Sequence, residues 1–197
     1  MLFTEPRRAW QVQQLARQAR VSLGLAFKVK QRLLDLEYAR EAEEGIQLAR
    51  PEDLLRDWAA AGLPRKREQL DCYAPGEPAE VEAALGATCR ARKIRLAFTQ
   101  FSGAARVAPF ARYVRSGAYV DADPAAVAGG LGWKPVPSGA NVTLLGAPDE
   151  GVWYGLQQVG EEPVVSDVQL YLDLGGTKGR GEEAATFILE QRLRPRW

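Results

Sequence analysis

The N-terminal part of the chain places apolar side chains at the spacing of α-helices. In the segment WQVQQLARQA, Trp10, Leu15 and Ala19 share one face, and a short turn follows. Ser22 precedes a second apolar pattern and predicts a capped helix over residues 22–36. The apolar face of this second helix is formed by Ala26, Val29, Leu33 and Leu36. The spacing therefore predicts two helices joined by a three-residue turn.

A hairpin and a third helix complete this pattern. The polar stretch Glu41–Gly45 is typical of a turn, and the alternation in residues 46–48 indicates a strand. Pro51 begins a short helix in PEDLLRDWAAAG. We therefore predict a winged helix-turn-helix domain over residues 1–62. Such a domain normally rests on a preceding helix, and because few residues stand before Trp10 we expect it to lack most of its first helix.

The remainder of the chain mixes helical and strand-like patterns. A basic stretch that begins with proline predicts a linker over residues 63–72, and a mixed α/β domain follows over residues 73–197. The predicted helices cover residues 79–92, 102–107, 124–131 and 181–193. The predicted strands cover residues 94–99, 118–120, 141–145, 152–157 and the alternating QLYLDL segment at 169–174. The predicted fold class is therefore α+β, a winged helix-turn-helix followed by a mixed α/β domain.

Charge and composition narrow the function classes. The chain has 26 basic and 25 acidic residues, but 13 basic and 9 acidic residues lie in the part that ends at Arg67, which favours a phosphate-facing surface there. Histidine is absent, which excludes Ser-His-Asp and Cys-His catalysis. We interpret Cys72 and Cys89 as structural free thiols. No apolar run approaches the length of a membrane span, so we expect a cytoplasmic protein without a membrane partner. We also predict no cofactor and no metal site.

The second helix carries the predicted function. A helix-turn-helix inserts this helix into the major groove of DNA, while basic side chains bind phosphates. Helical geometry makes five residues candidates for contact with bases, namely Leu23, Gly24, Phe27, Lys28 and Gln31. We count Ser22, at the helix N-terminus, among the DNA-binding residues, and we expect Arg32 and Arg40 at the DNA backbone. The alternative to a DNA-binding helix-turn-helix is a pair of packed helices that does not bind DNA.

Several segments resemble one known family. They are VSLGLAFKVKQRLLDLEY, RPEDLLRDWA, ANVTLLGAPDEGV, VVSDVQLYLDL and GRGEEAA, and in this order they resemble the AbiEi family, the antitoxin regulators of type IV toxin–antitoxin systems. The resemblance implies an N-terminal winged helix that binds double-stranded operator DNA and represses the operon, and a C-terminal domain needed for antitoxin activity. It also implies a functional partner, a toxin that resembles nucleotidyltransferases, and no enzymatic activity in the chain itself.

Two further hypotheses stand beside the DNA-binding autoregulator, which is expected to act as a homodimer on inverted repeats. Recognition helices of this kind often carry Ser or Thr where this chain has Leu25 and Phe27. The alternative is therefore a protein-interaction module that has lost DNA binding.

The third hypothesis is a metal-dependent nuclease. Its acids and its lysine would be Asp149, Glu150, Asp173 and Lys178. The first two acids are more typical of a turn, and Asp173 is expected to bind Arg180 or to cap a backbone group. The segment GGTKGRG lacks the spacing of a phosphate-binding loop, and we interpret it as a mobile basic loop.

Overall fold

The computed structural model describes residues 1–62, 68–109, 112–177 and 179–197. These residues belong to two compact units. The N-terminal unit comprises residues 1–62 together with residues 193–197, and the central unit comprises residues 63–192. The sequence pattern places residues 193–197 in the second domain, whereas the structure groups them with the first.

The N-terminal unit contains a winged helix-turn-helix, as the sequence predicts. Its helices are α1 (Val12–Ala19), α2 (Leu23–Asp35) and α3 (Pro51–Ala61), and its hairpin is formed by β1 (Ala39–Ala42) and β2 (Gly45–Leu48). Helix α2 begins after Ser22, whose side chain accepts a hydrogen bond from the backbone N–H of Leu25 at 3.2 Å. Helix α3 begins at Pro51, where the missing N–H of proline leaves no donor unsatisfied.

Trp10 is the main exception to the predicted helical pattern. The prediction that it lies in the first helix is wrong, because its backbone N–H and carbonyl both pair with Ile46, at 2.7 and 3.0 Å. Trp10 therefore forms an extended bridge beside β2, and its side chain is fully buried. Gly45 has a φ of 146°, and a Cβ at this position would stand 2.2 Å from the carbonyl oxygen of Trp10. The wing hairpin is thus fastened, backbone to backbone, to the segment that precedes α1.

The last residues of the chain pack within the N-terminal unit. The ring of Phe3 contacts two indoles, with centroid distances of 6.2 Å to Trp58 and 6.1 Å to Trp197. The guanidinium of Arg194 donates hydrogen bonds to the carboxylate of Glu52 on α3. Residues from both ends of the sequence therefore contribute to the packing of one unit.

Among the described residues, the central unit has one mixed sheet of seven strands. They are β3 (Gln69–Tyr73), β4 (Leu96–Phe98), β5 (Ser116–Val120), β6 (Lys134–Pro135), β7 (Val142–Gly146), β8 (Gln157–Val159) and β9 (Glu162–Val164). Their order across the sheet is β6-β3-β7-β5-β4-β9-β8. The pairs β5–β7 and β4–β9 are parallel, and the other pairs are antiparallel. The predicted α+β class is confirmed.

Helices connect and cover this sheet. They are α4 (Pro78–Arg92), α5 (Gln100–Val107), α6 (Pro124–Gly130), α7 (Asp167–Gly175) and α8 (Gly181–Ile188). Polar side chains explain where three of them begin, because Glu77 and Glu80 form a reciprocal capping box on α4, Asp123 caps α6 and Ser166 caps α7. Helix α5 packs on β5 and contacts α7 and α8.

Two segments predicted as strands have a different structure. Residues 169–174 belong to α7, so the strand prediction from QLYLDL is wrong. Leu170–Leu174 are all buried, and a helix buried on most of its sides loses the apolar period that would distinguish it from a strand. The predicted strand over residues 152–157 is also wrong, because Glu150–Trp153 forms a 3-10 turn and β8 begins only at Gln157.

Strand β3 begins inside the segment that was predicted to be a linker. Residues 69–72 belong to this strand, so the linker prediction is wrong there, and residues 63–67 lie outside the described residues. Cys72 on β3 and Cys89 on α4 are buried free thiols, as predicted. Burial raises the pKa of both thiols, which keeps them in the unreactive protonated form.

Candidate nucleic-acid interface

The turn between α1 and α2 sets the geometry of the helix-turn-helix. Arg20 ends α1 in the left-handed region, with a φ of 55°. The next residue, Val21, donates its backbone N–H to the carbonyl of Ala16 at 3.0 Å, which satisfies an acceptor at the end of the helix. Ser22 then caps α2. Three residues therefore reverse the chain between the two helices, as the spacing predicts.

The residues predicted to contact bases lie along one accessible side of α2. Leu23 and Phe27 stand one turn apart and are 53% and 52% exposed. Gly24 and Lys28 form the adjacent exposed row, and a Cβ added at Gly24 would meet nothing within 4 Å. Gln31 follows Phe27 by one turn and is half-buried. The helix therefore brings the five residues together, and their contact with DNA stays a prediction.

The remaining predicted DNA-binding residues, Ser22, Arg32 and Arg40, lie in different places. Arg32 is exposed and follows Lys28 by one turn of α2, so it extends the same row. Ser22 lies at the start of α2, where its side-chain oxygen is occupied by the Leu25 N–H. Arg40 lies on β1 instead, and its guanidinium donates a hydrogen bond to the side chain of Gln47 at 2.9 Å. It therefore belongs to the wing rather than to the helix.

Charge is distributed unevenly within the N-terminal unit. From Val12 to Asp35 the sequence has five basic residues and one acidic residue. The turn of the wing is acidic, because Glu43 and Glu44 are exposed there. Glu41, which precedes this turn, lies 3.6 Å from Lys30. The helix-turn-helix is therefore electropositive, and the wing tip has the opposite sign.

Two basic residues near the turn were not among the predicted contacts. Arg17 and Arg20 are exposed at the end of α1, next to the N-terminus of α2. The sequence offers a signal for them, because they lie at the end of α1 and in the turn, beside the start of α2, the predicted recognition helix. Arg65, Lys66 and Arg67, which contributed to the basic character of the N-terminal part, lie outside the described residues.

A second exposed face of α2 carries three apolar side chains around Arg32. Leu25 and Val29 are 50% and 49% exposed, and Leu36 just beyond the helix is 37% exposed. They adjoin the buried positions Ala26 and Leu33 on the helical surface. The prediction that Val29 and Leu36 belong to the buried face is therefore wrong, because within the described residues nothing packs closely enough to cover them.

The acidic residues considered for catalysis have structural partners. Asp173 is buried on α7, and its carboxylate accepts hydrogen bonds from Thr99 at 2.6 Å and Tyr119 at 2.9 Å. Gln169 donates to the same carboxylate at 3.1 Å. The backbone carbonyl of Asp173 accepts a hydrogen bond from the hydroxyl of Thr177. Thr177 belongs to the loop that was predicted to be mobile, and Lys178 of the same loop lies outside the described residues.

Asp149 and Glu150, the two acids expected in a turn, also have local partners. Asp149 accepts a hydrogen bond from the backbone N–H of Gly151 at 2.7 Å, and Glu150 forms an ion pair with Arg95. Among the described residues, no group of three or more His, Cys, Asp or Glu side chains is placed to hold a metal ion. None of the helices in the described ranges combines the length and apolarity needed to cross a bilayer.

Comparison with known proteins identifies one family. A family model described as "Transcriptional regulator, AbiEi antitoxin, Type IV TA system" matches residues 47–194. No curated protein and no solved structure matches the chain. The matched range begins within β2, so it includes the described sheet of the central unit and leaves α1 and α2 outside.

Proposed function

Because the chain belongs to the AbiEi family of transcriptional-regulator antitoxins of type IV toxin–antitoxin systems, we propose that it represses its own operon by binding operator DNA through α2. The observation that carries this proposal is the exposed, basic side of a correctly capped second helix. Lys28 and Arg32 extend from it one turn apart, and Ser22 fixes its N-terminus. In this mode the helix enters the major groove, and the basic side chains contact phosphates on either side.

The base-contacting side of α2 is unusually apolar for such a helix. Leu23 and Phe27 offer only van der Waals contact, for which the methyl group of thymine is the natural partner. Gly24 leaves room for close approach of the helix to a base edge. Gln31 supplies an amide that can pair with adenine. We therefore expect the operator to be rich in A·T pairs, bound by a homodimer on inverted repeats.

The decisive experiment titrates the full chain against the DNA upstream of its operon at several salt concentrations. Lys28→Ala and Arg32→Ala should each weaken binding, and the slope of log affinity against log salt should flatten by about 0.9 for each phosphate that the protein no longer neutralises. Lys134→Ala, an exposed lysine of β6, is the matched control and should bind as the unmodified chain does. Absence of binding at low salt, or equal salt slopes for all three variants, contradicts the proposal.

The antitoxin activity is proposed to reside in the central unit, because the family model matches the whole of its described sheet. The functional partner would be a nucleotidyltransferase-like toxin in the cytoplasm, which this chain counteracts without catalysis of its own. Co-expression of the full chain should rescue cells from that toxin. The Lys28→Ala chain should rescue equally well when both genes are driven by an unrelated promoter, because DNA binding and neutralisation then separate. Failure of both chains to rescue contradicts the antitoxin proposal.

The exposed apolar face of α2 favours a second candidate, a protein-interaction module. Leu25, Val29 and Leu36 lie around Arg32 on this face, and apolar side chains beside an arginine are typical of protein contacts. Leu25→Gln with Val29→Gln should then abolish association with a protein partner or a second copy, measured by sedimentation. If this double variant still associates but no longer binds DNA, the second candidate is excluded.

A further inference from the structure

The central unit contains a cavity that neither DNA binding nor the family assignment explains. Its volume is about 490 Å³, within the range that small-molecule sites occupy. Its described lining includes three arginines and one carboxylate. The lining residues include Gln100, Phe101, Arg112, Tyr113, Arg115 and Arg180. The excess of positive charge indicates an anionic occupant.

The carboxamide of Gln100 is held in the cavity wall by two unusual features. Gln100 has a φ of 50°, a left-handed conformation that a side chain disfavours, at the point where β4 turns into α5. Gly117 on β5 leaves the space that this side chain fills, because a Cβ there would stand 2.5 Å from the amide oxygen of Gln100. In the described part of the chain, the carboxamide forms no hydrogen bond with the protein. It therefore offers an NH2 group with two N–H donors and a carbonyl acceptor to a ligand.

The three arginines of the cavity lining differ in the hydrogen bonds and ion pairs that they form with the protein. Arg115 is paired with Asp71 and also donates to Thr143 at 2.8 Å, so it neutralises the one carboxylate of the lining. Arg180 pairs with Glu183 at the start of α8. Arg112 is exposed and, within the described residues, has neither a hydrogen bond nor an ion pair. Its guanidinium is therefore the group most available to an anion.

The start of α5 adds to the positive potential. Gln100 and Phe101 are the first two residues of this helix and line the cavity. The hydroxyl of Thr99, which stands at the capping position, is donated to Asp173 instead, so it does not cap the helix. No side chain therefore caps the first turn of α5, and the positive end of the helix dipole lies at the cavity wall.

Aromatic surface completes the lining. Tyr113 is anchored because its hydroxyl donates to Glu82 at 3.1 Å, and Phe101 is half-buried beside it in the lining. An anion-binding arginine, a fixed amide and aromatic surface are the groups that bind the phosphate, the polar edge and the face of a nucleobase ligand. We propose that this cavity binds a nucleoside monophosphate, with the phosphate at Arg112 and the base edge at the Gln100 amide.

The test measures binding by calorimetry to the full chain, with the four ribonucleoside monophosphates, inorganic phosphate, a single-stranded trinucleotide and hexaglutamate as probes. At least one monophosphate should bind, and inorganic phosphate should bind roughly tenfold or more weakly, because it lacks the base contacts. Arg112→Ala should weaken both by roughly tenfold or more. Arg90→Ala, an exposed arginine of α4, is the matched control and should change neither.

Gln100→Gly separates a binding role from a structural one. Glycine adopts the left-handed conformation without strain, and this relief offsets the packing over Gly117 that the variant loses, so its melting temperature should stay close to that of the unmodified chain. Its affinity for the monophosphate should nevertheless fall by roughly tenfold, with inorganic phosphate binding unchanged. Lys28→Ala should leave monophosphate binding intact, which separates this site from the DNA-binding helix.

Three results would overturn the proposal. The first is no binding of any monophosphate. The second is unchanged affinity in Arg112→Ala. The third is binding of the trinucleotide or of hexaglutamate without binding of a monophosphate, which would assign the cavity to a polymer or to an acidic protein segment.

Discussion

Arg194 donates two hydrogen bonds to Glu52, from Nε at 2.8 Å and from Nη2 at 2.7 Å, across 142 positions of the sequence. Arg56, one turn along α3, donates to the same carboxylate. The bonds from Arg194 and then those from Arg56 lower the pKa of Glu52 to about 2. The carboxylate therefore stabilises the folded state at pH values above its unfolded pKa, and this contribution is lost as the pH falls through the folded pKa.

Replacing Glu52 with Gln should remove this pH-dependent contribution. The ion pair is partly exposed to solvent, so we expect a loss of only about 0.5–1 kcal/mol in the free energy of unfolding near neutral pH. The difference from the unmodified chain should shrink between the ordinary pKa of 4.5 and about 2. Urea unfolding at a series of pH values measures it, with Glu161→Gln in the exposed β8–β9 turn as control. A difference that is constant with pH contradicts the assignment.

Gly45→Ala should destabilise the N-terminal unit. The new Cβ would stand 2.2 Å from the Trp10 carbonyl oxygen, at a φ of 146° that alanine rarely adopts. We expect a loss of roughly 2–4 kcal/mol in the free energy of unfolding, from backbone strain and a clash that backbone atoms cannot relieve. Thermal unfolding followed by circular dichroism measures it. Gly24→Ala is the control, because its Cβ is free of contacts in a helix, and it should stabilise the protein by about 0.5–1 kcal/mol. Equal melting temperatures for the two variants would refute this account of the wing.

Glu82→Gln should be more damaging than an equivalent change at the surface. The buried carboxylate of Glu82 lies 2.8 Å from Arg106 and accepts a hydrogen bond from Ser102. Neutralising it leaves a largely buried guanidinium without its counter-charge, which costs about 3–5 kcal/mol when such a pair is broken. Asp121→Asn removes an exposed partner of Arg95 and should destabilise the protein much less, because water screens that pair.

A double variant distinguishes loss of the Glu82 ion pair from general loss of packing. Glu82→Gln combined with Arg106→Met removes both charges, so its destabilisation should be smaller than the sum of the two single effects. Chemical unfolding of all four chains gives this coupling energy. Strict additivity would show that the pair does not act as a unit.

The acidic wing tip should oppose DNA binding. Glu43 and Glu44 are exposed in the turn of the hairpin, where their charge repels phosphate. The double change to Gln should therefore raise operator affinity a few-fold at low salt, and the gain should diminish as salt screens the charges. Fluorescence anisotropy with labelled operator measures this effect, and Glu161→Gln is again the control. An unchanged affinity at every salt concentration means that the wing stays away from the phosphates.

The sequence predicts those features that depend on neighbouring residues. Ser22, Pro51 and the polar turn of the wing each act within one helical turn or one hairpin, and the structure has the predicted elements there. The row on α2 from Leu23 to Gln31 also follows from helical spacing alone. Prediction of α2 and of its exposed row therefore required no knowledge of tertiary contacts.

The features that the sequence does not predict depend on distant residues. Trp10 leaves the helical pattern because Ile46 offers it a strand partner, and α7 resembles a strand because the surrounding unit buries most of its sides. The left-handed Gln100 has no local signal, since its space is provided by Gly117 on another strand. The cavity could therefore not be predicted from the sequence, because residues distant in the chain form its wall.

The packing of residues 193–197 within the N-terminal unit has a consequence for limited proteolysis. Arg65, Lys66 and Arg67 follow residues 1–62 in the sequence, and trypsin cleaves after residues of these types. A cut there separates the polypeptide into two pieces, yet the later piece still carries Trp197 and Arg194, which contact Phe3 and Glu52 of the earlier one. The two fragments of a nicked chain should therefore elute together in native chromatography and separate only in denaturant.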